Sequence, residues 1–294
     1  MEIDVDPADV AVRLWLTDRT LLEEAHTEQQ LSRPRAFSAF VSTVSPLQKF
    51  ASPNEKQLVA MQNKMDDTFE EKKRGRGSRV FTYQQKDEYF FLVRHGEPWR
   101  REGTMTGSVF FHPQKHDVLI YNSTSGEIQI HTNSKWEQEL YLKCFGFYLF
   151  NDENFFSLKN KYTLQPLVDY GRNALNTEGA EDSIEQIVLK EISIMWGNEI
   201  EIRKTKGDLF LCFEKRKNPK IPENIFRAVF SVKFKHSKRP RSVTVQSGNK
   251  TSYDRDDDSS IVENWLKRRG FIQGQNVEDE TAQPMAGTAT TAVI

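Results

Sequence analysis

One stretch of the chain occurs twice in the same order, and this repetition most limits how the chain can fold. Residues 77–91 align without a gap on residues 197–211, and both copies begin with glycine. Residues 139–147 then align on residues 263–271, at an offset that has grown from 120 to 124. Two matches in one order at nearly one offset indicate an internal duplication, which predicts two related modules.

The residue pattern inside the repeat predicts sheets closed by helices. From Arg79 onward apolar and polar residues alternate with period two, which is typical of half-buried strands. Turn residues at 122–126 separate two such runs, so we expect a hairpin there. Ser134 and Ser260 are each followed three residues later by glutamate, the spacing of a helix-capping box. Each module is therefore predicted to be a mainly antiparallel sheet closed by a C-terminal helix.

A helical region is predicted to precede the modules. Residues Pro7–Ala25, residues Ala36–Phe50 and a third segment capped by Asn54 carry apolar residues that fit helices. The element order makes the chain α+β. In the second module, strands are expected near residues 187–195, 199–204, 209–215, 229–235 and 242–246. The predicted division is a helical region at 1–76, module one at 77–150, a connector at 151–182, a basic module two at 183–272 and a flexible tail at 273–294.

The composition indicates a folded protein of a reducing, aqueous compartment. Of the 294 residues, 37% are hydrophobic and 20 are phenylalanine, which is enough to build cores. No apolar run approaches the roughly 18 residues that a membrane span needs, and the N-terminus lacks the pattern of a signal peptide. Cys144 and Cys212 lie inside apolar segments, as reduced thiols do. We expect a cytoplasmic protein with no membrane contact, no metal and no cofactor.

The net charge of −1 conceals a strong asymmetry along the chain. Residues 201–250 contain fourteen lysines and arginines but four acidic residues, so this segment carries +10 and the remainder −11. Such a division of charge predicts a charged partner rather than a particular fold.

A predicted hairpin in module two concentrates this positive charge. In residues 228–235, three large apolar residues alternate with Ser231, Lys233 and Lys235, so one face is apolar and the other cationic. Solvated sheet faces usually mix both signs, whereas a uniformly cationic surface suits a phosphate backbone, because lysine and arginine displace its condensed counterions. The residues predicted to bind nucleic acid are Lys215, Arg216, Lys217, Lys233, Lys235, Lys238, Arg239 and Arg241.

The same charge also fits other partners. An acidic protein, or an acidic segment of the chain such as residues 254–258, would complement it equally well. No base-reading helix is recognisable, so nucleic-acid binding is expected to show little sequence specificity. We interpret the chain as a non-enzymatic binding or adaptor protein, a subunit of a nucleic-acid-processing or defence assembly acting on DNA or RNA. The alternatives are a scaffold for an acidic protein partner or a second copy, and an enzyme.

The sharpest enzymatic motif is Leu92-Val-Arg-His-Gly-Glu97, which resembles the Arg-His-Gly-Glu signature of the histidine phosphatase and phosphoglycerate mutase superfamily. The resemblance implies that His95 takes a phosphoryl group, which Arg94 and Arg101 bind. That family's pattern includes a second histidine far downstream, usually followed by glycine, whereas the late His236 is followed by serine. We therefore interpret the segment as a scaffold strand.

Residues Lys143–Phe150 resemble the RNP1 strand of RNA-recognition motifs, which implies a strand with exposed aromatic side chains. The apolar residues around this segment have helical spacing, and a capping pattern begins at Ser134. We therefore interpret it as part of a packed helix.

Two further patterns concern metal ions. Asp117 and Glu127 begin two runs that resemble the strand pair of PD-(D/E)xK nucleases, which implies two carboxylates holding a divalent cation. The nuclease pattern has a lysine two residues after the glutamate, and this chain has Gln129 at that position. The alternative is that Asp117 is a strand-entry residue and Glu127 a turn residue. Four histidines also fall at predicted strand ends, where we interpret them as separate residues without a metal geometry. They are His95, His112, His116 and His131.

Overall fold

The computed structural model describes residues 6–18, 21, 26, 29–31, 36–44, 50–158, 160–177, 183–216, 220–254 and 259–273. Over these residues the protein is α+β, with an eleven-stranded antiparallel sheet and a separate two-stranded sheet. The described helices are α1 Pro7–Thr17, α2 Glu55–Glu71, α3 Lys135–Phe150, α4 Gln165–Tyr170, a 3-10 helix at Gly171–Leu175, α5 Leu209–Lys215 and α6 Ser259–Arg268. The described strands are β1 Ala36–Ser42, β2 Arg79–Gln85, β3 Glu88–Gly96, β4 Arg100–Thr104, β5 Gly107–Phe111, β6 Gln114–Asn122, β7 Glu127–His131, β8 Phe156–Leu158, β9 Ile184–Trp196, β10 Glu199–Lys204, β11 Ile225–Phe234, β12 Arg241–Gln246 and β13 Lys250–Ser252.

Strand β1 joins the two halves of the large sheet. The strand order is β10-β9-β11-β12-β13-β1-β7-β6-β3-β2, so strands β2, β3, β6 and β7 form the first half and β9 to β13 the second. One edge of β1 pairs with β7, and the other pairs with β13 and then with β8. The sheet is therefore continuous across the segment that the sequence analysis assigned to the N-terminal region.

The helix predicted at residues 36–50 is wrong for residues 36–42, which form β1, and residues 45–49 of that prediction lie outside the described residues. Phe37 and Phe40 are both buried but belong to core clusters on opposite faces of the sheet. A strand buried on both faces has no apolar-polar alternation, and a short apolar run of this kind cannot be distinguished from a helix by periodicity.

Helices α2 and α3 cover one face of the first half. The predicted cap of α2 is confirmed: the Asn54 side chain accepts from the Gln57 amide at 2.9 Å, and the Gln57 side chain accepts from the Asn54 amide at 3.0 Å. Met61, Met65 and Phe69 point into the core from one face of α2 and are fully buried. Burying each such side chain contributes about 1.5–3 kcal/mol.

The core of the second half is closed by α6. The Trp265 ring lies 5.4 Å from Phe230 and 5.3 Å from Phe271, and all three side chains are fully buried. Val232 and Phe234 are buried beside Phe230, so the predicted apolar face of β11 is confirmed.

Residues 209–215 form helix α5 instead of the predicted strand. The Asp208 carboxylate accepts from the Phe210 amide at 2.8 Å and caps the helix, and Phe210 and Phe213 are buried on one side. The repeat aligns the sequence of this helix with the sequence of strand β3, so the two copies do not form the same type of element at this position. The internal duplication therefore stays a prediction.

Helix α1 begins as predicted, since Asp6 accepts from the Ala8 amide at 2.9 Å and Pro7 follows. It ends at Thr17, and most residues between there and Ala25 lie outside the described ranges, as do residues 274–294 of the predicted tail. None of the helices in the described parts is long and apolar enough to cross a bilayer.

Candidate functional site

The core of the first half contains a cluster of five polar residues, His95, Lys115, Asp117, Glu137 and Tyr141, called here the buried polar cluster. His95 on β3 pairs directly with Lys115 on β6, and strand alternation places Asp117 on the same face. Glu137 and Tyr141 are four residues apart on α3, so they share the helix face that packs against these strands.

His95 has a partner at each ring nitrogen. Its Nε2 lies 3.0 Å from Asp117 Oδ2, and its Nδ1 lies 2.9 Å from the Gly96 carbonyl oxygen. The Phe69 ring stacks on the imidazole with centroids 4.3 Å apart and an interplanar angle of 7°. These contacts leave the ring a single orientation within the core.

Lys115 lies between the two carboxylates. Its Nζ is 3.1 Å from Asp117 Oδ1 and donates to Glu137 Oε2 at 2.5 Å and to Thr132 Oγ1 at 3.2 Å. The Thr132 hydroxyl also donates to Glu137 Oε2 at 2.5 Å. Two buried negative charges therefore share one ammonium, whose side chain is 12% exposed.

The cluster keeps Asp117 ionised. Burial alone would raise the pKa of this carboxyl, but the hydrogen bond with His95, the charge of Lys115 and the hydroxyl of Tyr141 together lower the pKa below its ordinary value. Tyr141 donates to Asp117 Oδ2 at 2.7 Å. Burial, and to a smaller extent the negative charge of Asp117, raises the pKa of this phenol well above its usual value. Tyr141 is thus held as a neutral donor.

Two carboxylate oxygens of the cluster lack a hydrogen bond, Asp117 Oδ1 and Glu137 Oε1, and Lys115 Nζ lies 3.1 Å from the first of them. Glu137 is fully buried, yet its Oε1 accepts none; Arg74 Nη2 lies 3.8 Å away and His95 Nε2 lies 4.0 Å away. The backbone of Arg74 also lies close to the cluster: a Cβ at position 96 would be 2.2 Å from the Arg74 carbonyl oxygen, so only Gly96 fits there. Ligand atoms of His95, Asp117 and Glu137 all lie within 4.8 Å of one another, so these residues form a candidate cation site.

The structure does not assemble the phosphate site implied by the phosphatase-like motif. His95 is 3% exposed, so the imidazole is not presented to solvent. Arg94 lies on the opposite face of β3, with its guanidinium over the Phe81 ring at 5.6 Å. Arg101 is on the separate β4–β5 hairpin and donates to Ser108 Oγ at 2.9 Å. Neither arginine reaches His95.

The carboxylate pair implied by the nuclease-like pattern is also wrong. Glu127 pairs with Asn122, whereas Asp117 lies five residues away at the other end of β6, roughly 17 Å along the strand. Glu127 instead accepts from Lys161 Nζ and from the Gln129 side chain, at 2.7 and 2.8 Å. Asp117 therefore belongs to the buried polar cluster and Glu127 does not.

The remaining sequence candidates have separate surroundings. Residues Lys143–Phe150 lie within α3, so the helix interpretation is confirmed and the RNP1-like strand is wrong. His112 contacts the Glu97 carbonyl and His131 the Ala36 carbonyl through their Nδ1 atoms, at 2.6 and 2.8 Å. The His116 ring lies 5.9 Å from that of His26. These histidines do not join His95 in the cluster.

Sequence reasoning missed Lys115, Glu137 and Tyr141. Glu137 was assigned to a capping box, and its amide does donate to Ser134 Oγ at 3.3 Å, but its carboxylate turns into the core towards Lys115. The signal that was available is the four-residue spacing of Glu137 and Tyr141 on a helix whose other inward residues are apolar.

The cations of the β11–β12 hairpin lie on two faces. Lys233 points away from the core; its Nζ is 3.4 Å from Glu185 Oε2 and donates to the carbonyls of Phe234 and Ser237. Arg241 pairs with Val232 and so lies on the core side, with its guanidinium 5.7 Å from the Phe234 ring. Arg241, which the sequence analysis counted among the binding cations of the turn, therefore does not share the face that carries Lys233. Exposed cations at the turn are Lys235, Lys238 and Arg239.

The other predicted binding residues lie elsewhere. Lys215 ends α5, Arg216 follows it, and Lys217 is outside the described residues. Arg216 lines a cavity of about 410 Å³ together with β10. Arg203 of β10 pairs with Ile192 of β9, whereas Phe234, the last residue of β11 before the hairpin turn, pairs with Ile184. The two positions are eight residues apart along β9, which corresponds to roughly 26 Å. Lys215 and Arg216 thus do not extend the hairpin surface.

Comparison with known proteins adds no assignment. No protein-family model matches the chain, and a search of curated proteins finds no match. The geometry described above is the basis for the proposals that follow.

Proposed function

We propose that the protein is a cytoplasmic, non-enzymatic nucleic-acid-binding protein that contacts the phosphate backbone through the turn of the β11–β12 hairpin. The observation that carries this proposal is the turn itself: Lys235, Lys238 and Arg239 are exposed, and residues 235–241 contain no acidic residue. Cations grouped in this way release condensed counterions when they meet a polyanion.

The packing of the hairpin supports the proposal. Phe230, Val232 and Phe234 of its first strand are fully buried, and Lys233 donates to the Ser237 carbonyl within the turn. A turn anchored by a packed strand loses little conformational entropy when its cations bind a partner. Because these contacts address phosphates rather than bases, we expect little sequence specificity.

Fluorescence anisotropy with labelled duplex DNA, single-stranded DNA and RNA, over a series of salt concentrations, tests the proposal. We expect the affinity to fall with salt with a logarithmic slope of about −0.9 per phosphate neutralised on duplex DNA. The double variant Lys238→Glu/Arg239→Glu should weaken binding about tenfold or more and flatten that slope. Lys267→Glu/Arg268→Glu on α6 changes the same charges at another exposed position and is the matched control.

Two results would contradict the proposal. One is no binding of any of the three probes at low salt. The other is equal loss in the hairpin variant and in the α6 control, since that would indicate a general effect of net charge.

A second candidate function, pairing of two copies of the chain, is favoured by strand β10. In the described sheet β10 is an edge strand, and Ile200 and Ile202 on one of its faces are 56% and 60% exposed. Exposed apolar edges of this kind are templates for strand pairing. An antiparallel β10–β10 contact centred on Ile202 would place Glu201 of each copy opposite Arg203 of the other, so the occupant we propose is a second copy.

Light scattering coupled to size-exclusion chromatography tests this second candidate. We expect twice the monomer mass for the natural chain and the monomer mass for Ile202→Lys. Phe110→Lys, at an exposed apolar residue of the separate β4–β5 hairpin, should leave the mass unchanged. A monomer at every concentration, or a stable complex with an acidic protein alone, would overturn it.

A further inference from the structure

We propose that the buried polar cluster binds one divalent metal ion through His95 Nε2, Asp117 Oδ2 and Glu137 Oε1. This site is independent of the cationic hairpin, because it lies in the core of the first half of the sheet. The inference rests on the spacing of the three donor atoms, on a buried carboxylate oxygen without a hydrogen bond and on the hydrogen bonding of His95.

The spacing of the donors fits one small ion. Nitrogen and oxygen ligands about 2.0–2.2 Å from a transition-metal ion lie roughly 3–4 Å from one another. His95 Nε2 is 3.0 Å from Asp117 Oδ2 and 4.0 Å from Glu137 Oε1, and the ligand atoms of all three residues lie within 4.8 Å. Small side-chain adjustments are enough to place an ion between them.

The Glu137 oxygen without a hydrogen bond is the second observation. Glu137 is fully buried, and its Oε2 already accepts from Lys115 and Thr132, but Oε1 accepts no hydrogen bond and faces His95 Nε2. Leaving a buried carboxylate oxygen unsatisfied is costly, so native structures rarely retain one without a ligand or ion. A metal ion at this position removes that cost.

His95 supplies the third observation. Both ring nitrogens face acceptors, the Gly96 carbonyl at Nδ1 and the Asp117 carboxylate at Nε2. A proton on Nε2 makes the hydrogen bond to Asp117 described above, and a metal ion bound at Nε2 would replace that proton. The one N–H of the neutral imidazole would then be at Nδ1 and donate to the Gly96 carbonyl, which is the usual way of orienting a ligating imidazole.

Lys115 leaves this position available. Its ammonium contacts Asp117 Oδ1 and Glu137 Oε2, whereas the proposed ion uses the opposite oxygen of each carboxylate. The side chains of Lys115 and Arg74 are 12% and 17% exposed, so they mark the path to solvent. Arg74, which lies 3.8 Å from Glu137 Oε1, is the cation that the metal would displace.

One imidazole nitrogen with two carboxylate oxygens selects the class of ion. This donor set suits Zn²⁺, Mn²⁺ or Fe²⁺, whereas Ca²⁺ and Mg²⁺ prefer sites built entirely from oxygen. The three ligands come from β3, β6 and α3, so a bound ion would tie the helix to both strands.

Metal content of the full chain tests the proposal. The protein is stripped with a chelator, incubated with Zn²⁺ or Mn²⁺, desalted and measured by plasma mass spectrometry. We expect about one ion per chain, reduced at least tenfold by Glu137→Gln or by His95→Ala. Glu127→Gln removes a carboxylate that lies outside the cluster and pairs with Lys161, so this variant should retain the ion.

The natural chain alone provides a second readout if a variant fails to fold. Co²⁺ should give visible absorption bands of a nitrogen- and oxygen-ligated ion, and added Zn²⁺ should raise Tm, since a ligand that binds the native state stabilises it. Failure of the stripped natural chain to retain any ion would overturn the proposal. Unchanged metal content in folded Glu137→Gln and His95→Ala proteins would overturn it too.

Discussion

His95 Nε2 lies 3.0 Å from Asp117 Oδ2, and the two side chains are 1% and 0% exposed. In the sequence these residues belong to two unrelated patterns, one resembling a phosphatase signature and the other a nuclease strand pair. The pairing of β3 with β6 brings them together, while the other residues of each pattern lie elsewhere. The structure thus replaces two separate candidate sites with one buried polar cluster.

Asp117→Asn should destabilise the fold strongly. Asp117 is the shared partner of His95, Lys115 and Tyr141, so the substitution leaves the Lys115 ammonium without one of its counter-charges and weakens two buried hydrogen bonds. Removing one partner of a buried ion pair typically costs about 3–5 kcal/mol, and we expect a loss in that range. Urea unfolding followed by circular dichroism measures it.

Glu70→Gln is the control for that experiment. Glu70 accepts from Arg76 at 2.8 Å, but both side chains are largely exposed, so solvent screens the pair. We expect little change in the unfolding midpoint. Equal losses in the two variants would show that the burial of the cluster has no energetic role.

The ionisation of Asp117 predicts a specific pH dependence. Its native-state pKa lies below the ordinary value of 3.8, so the unfolded chain binds more protons than the native chain in acid. The stability from this group is therefore fully present above about pH 4 and is lost as pH falls through the lower native pKa. Unfolding free energies measured from neutral to acid pH should fall less steeply in Asp117→Asn than in the natural chain.

Much of the local structure followed from the sequence, because local signals decide it. The Asn54 cap, the apolar face of β11 and the α3 helix are predicted by local residue type and spacing. The failures have physical reasons. Residues 36–42 are buried on both faces and show no period, and residues 209–215 contain five apolar or aromatic residues that fit a strand equally well.

The cluster itself could not be assembled from the sequence. His95, Asp117 and Glu137 are brought together by strand register and by helix packing, although each is at least twenty residues from the next along the chain. Register depends on which strands are neighbours, which local patterns do not specify. Each residue also had a satisfactory local explanation, as a strand-end histidine, a strand entry and a helix cap.

Gly96→Ala should disturb the entrance to the cluster. A Cβ at this position would lie 2.2 Å from the Arg74 carbonyl oxygen, so the backbone of one segment must move. We expect a loss of about 1–3 kcal/mol, in the range of other overpacking substitutions, and a lower Tm by calorimetry. Gly103→Ala on β4 meets nothing within 4 Å and should leave Tm nearly unchanged. A Gly96→Ala protein as stable as the natural chain would contradict the close approach of the two segments.

The two thiols should react very differently in the native protein. Cys144 is 4% exposed in the core, and burial raises the pKa of its thiol to about 12, whereas Cys212 is partly exposed on α5. Since the thiolate is the nucleophile, a pKa near 12 leaves about one Cys144 in ten thousand reactive at about pH 8. Titration with a chromogenic disulfide should therefore release one thiol equivalent rapidly under native conditions and the second only after denaturant is added. Cys212→Ser should abolish the rapid phase; rapid release of a thiol from that variant would show that α3 opens readily and that the core around Cys144 and Tyr141 is accessible to small reagents.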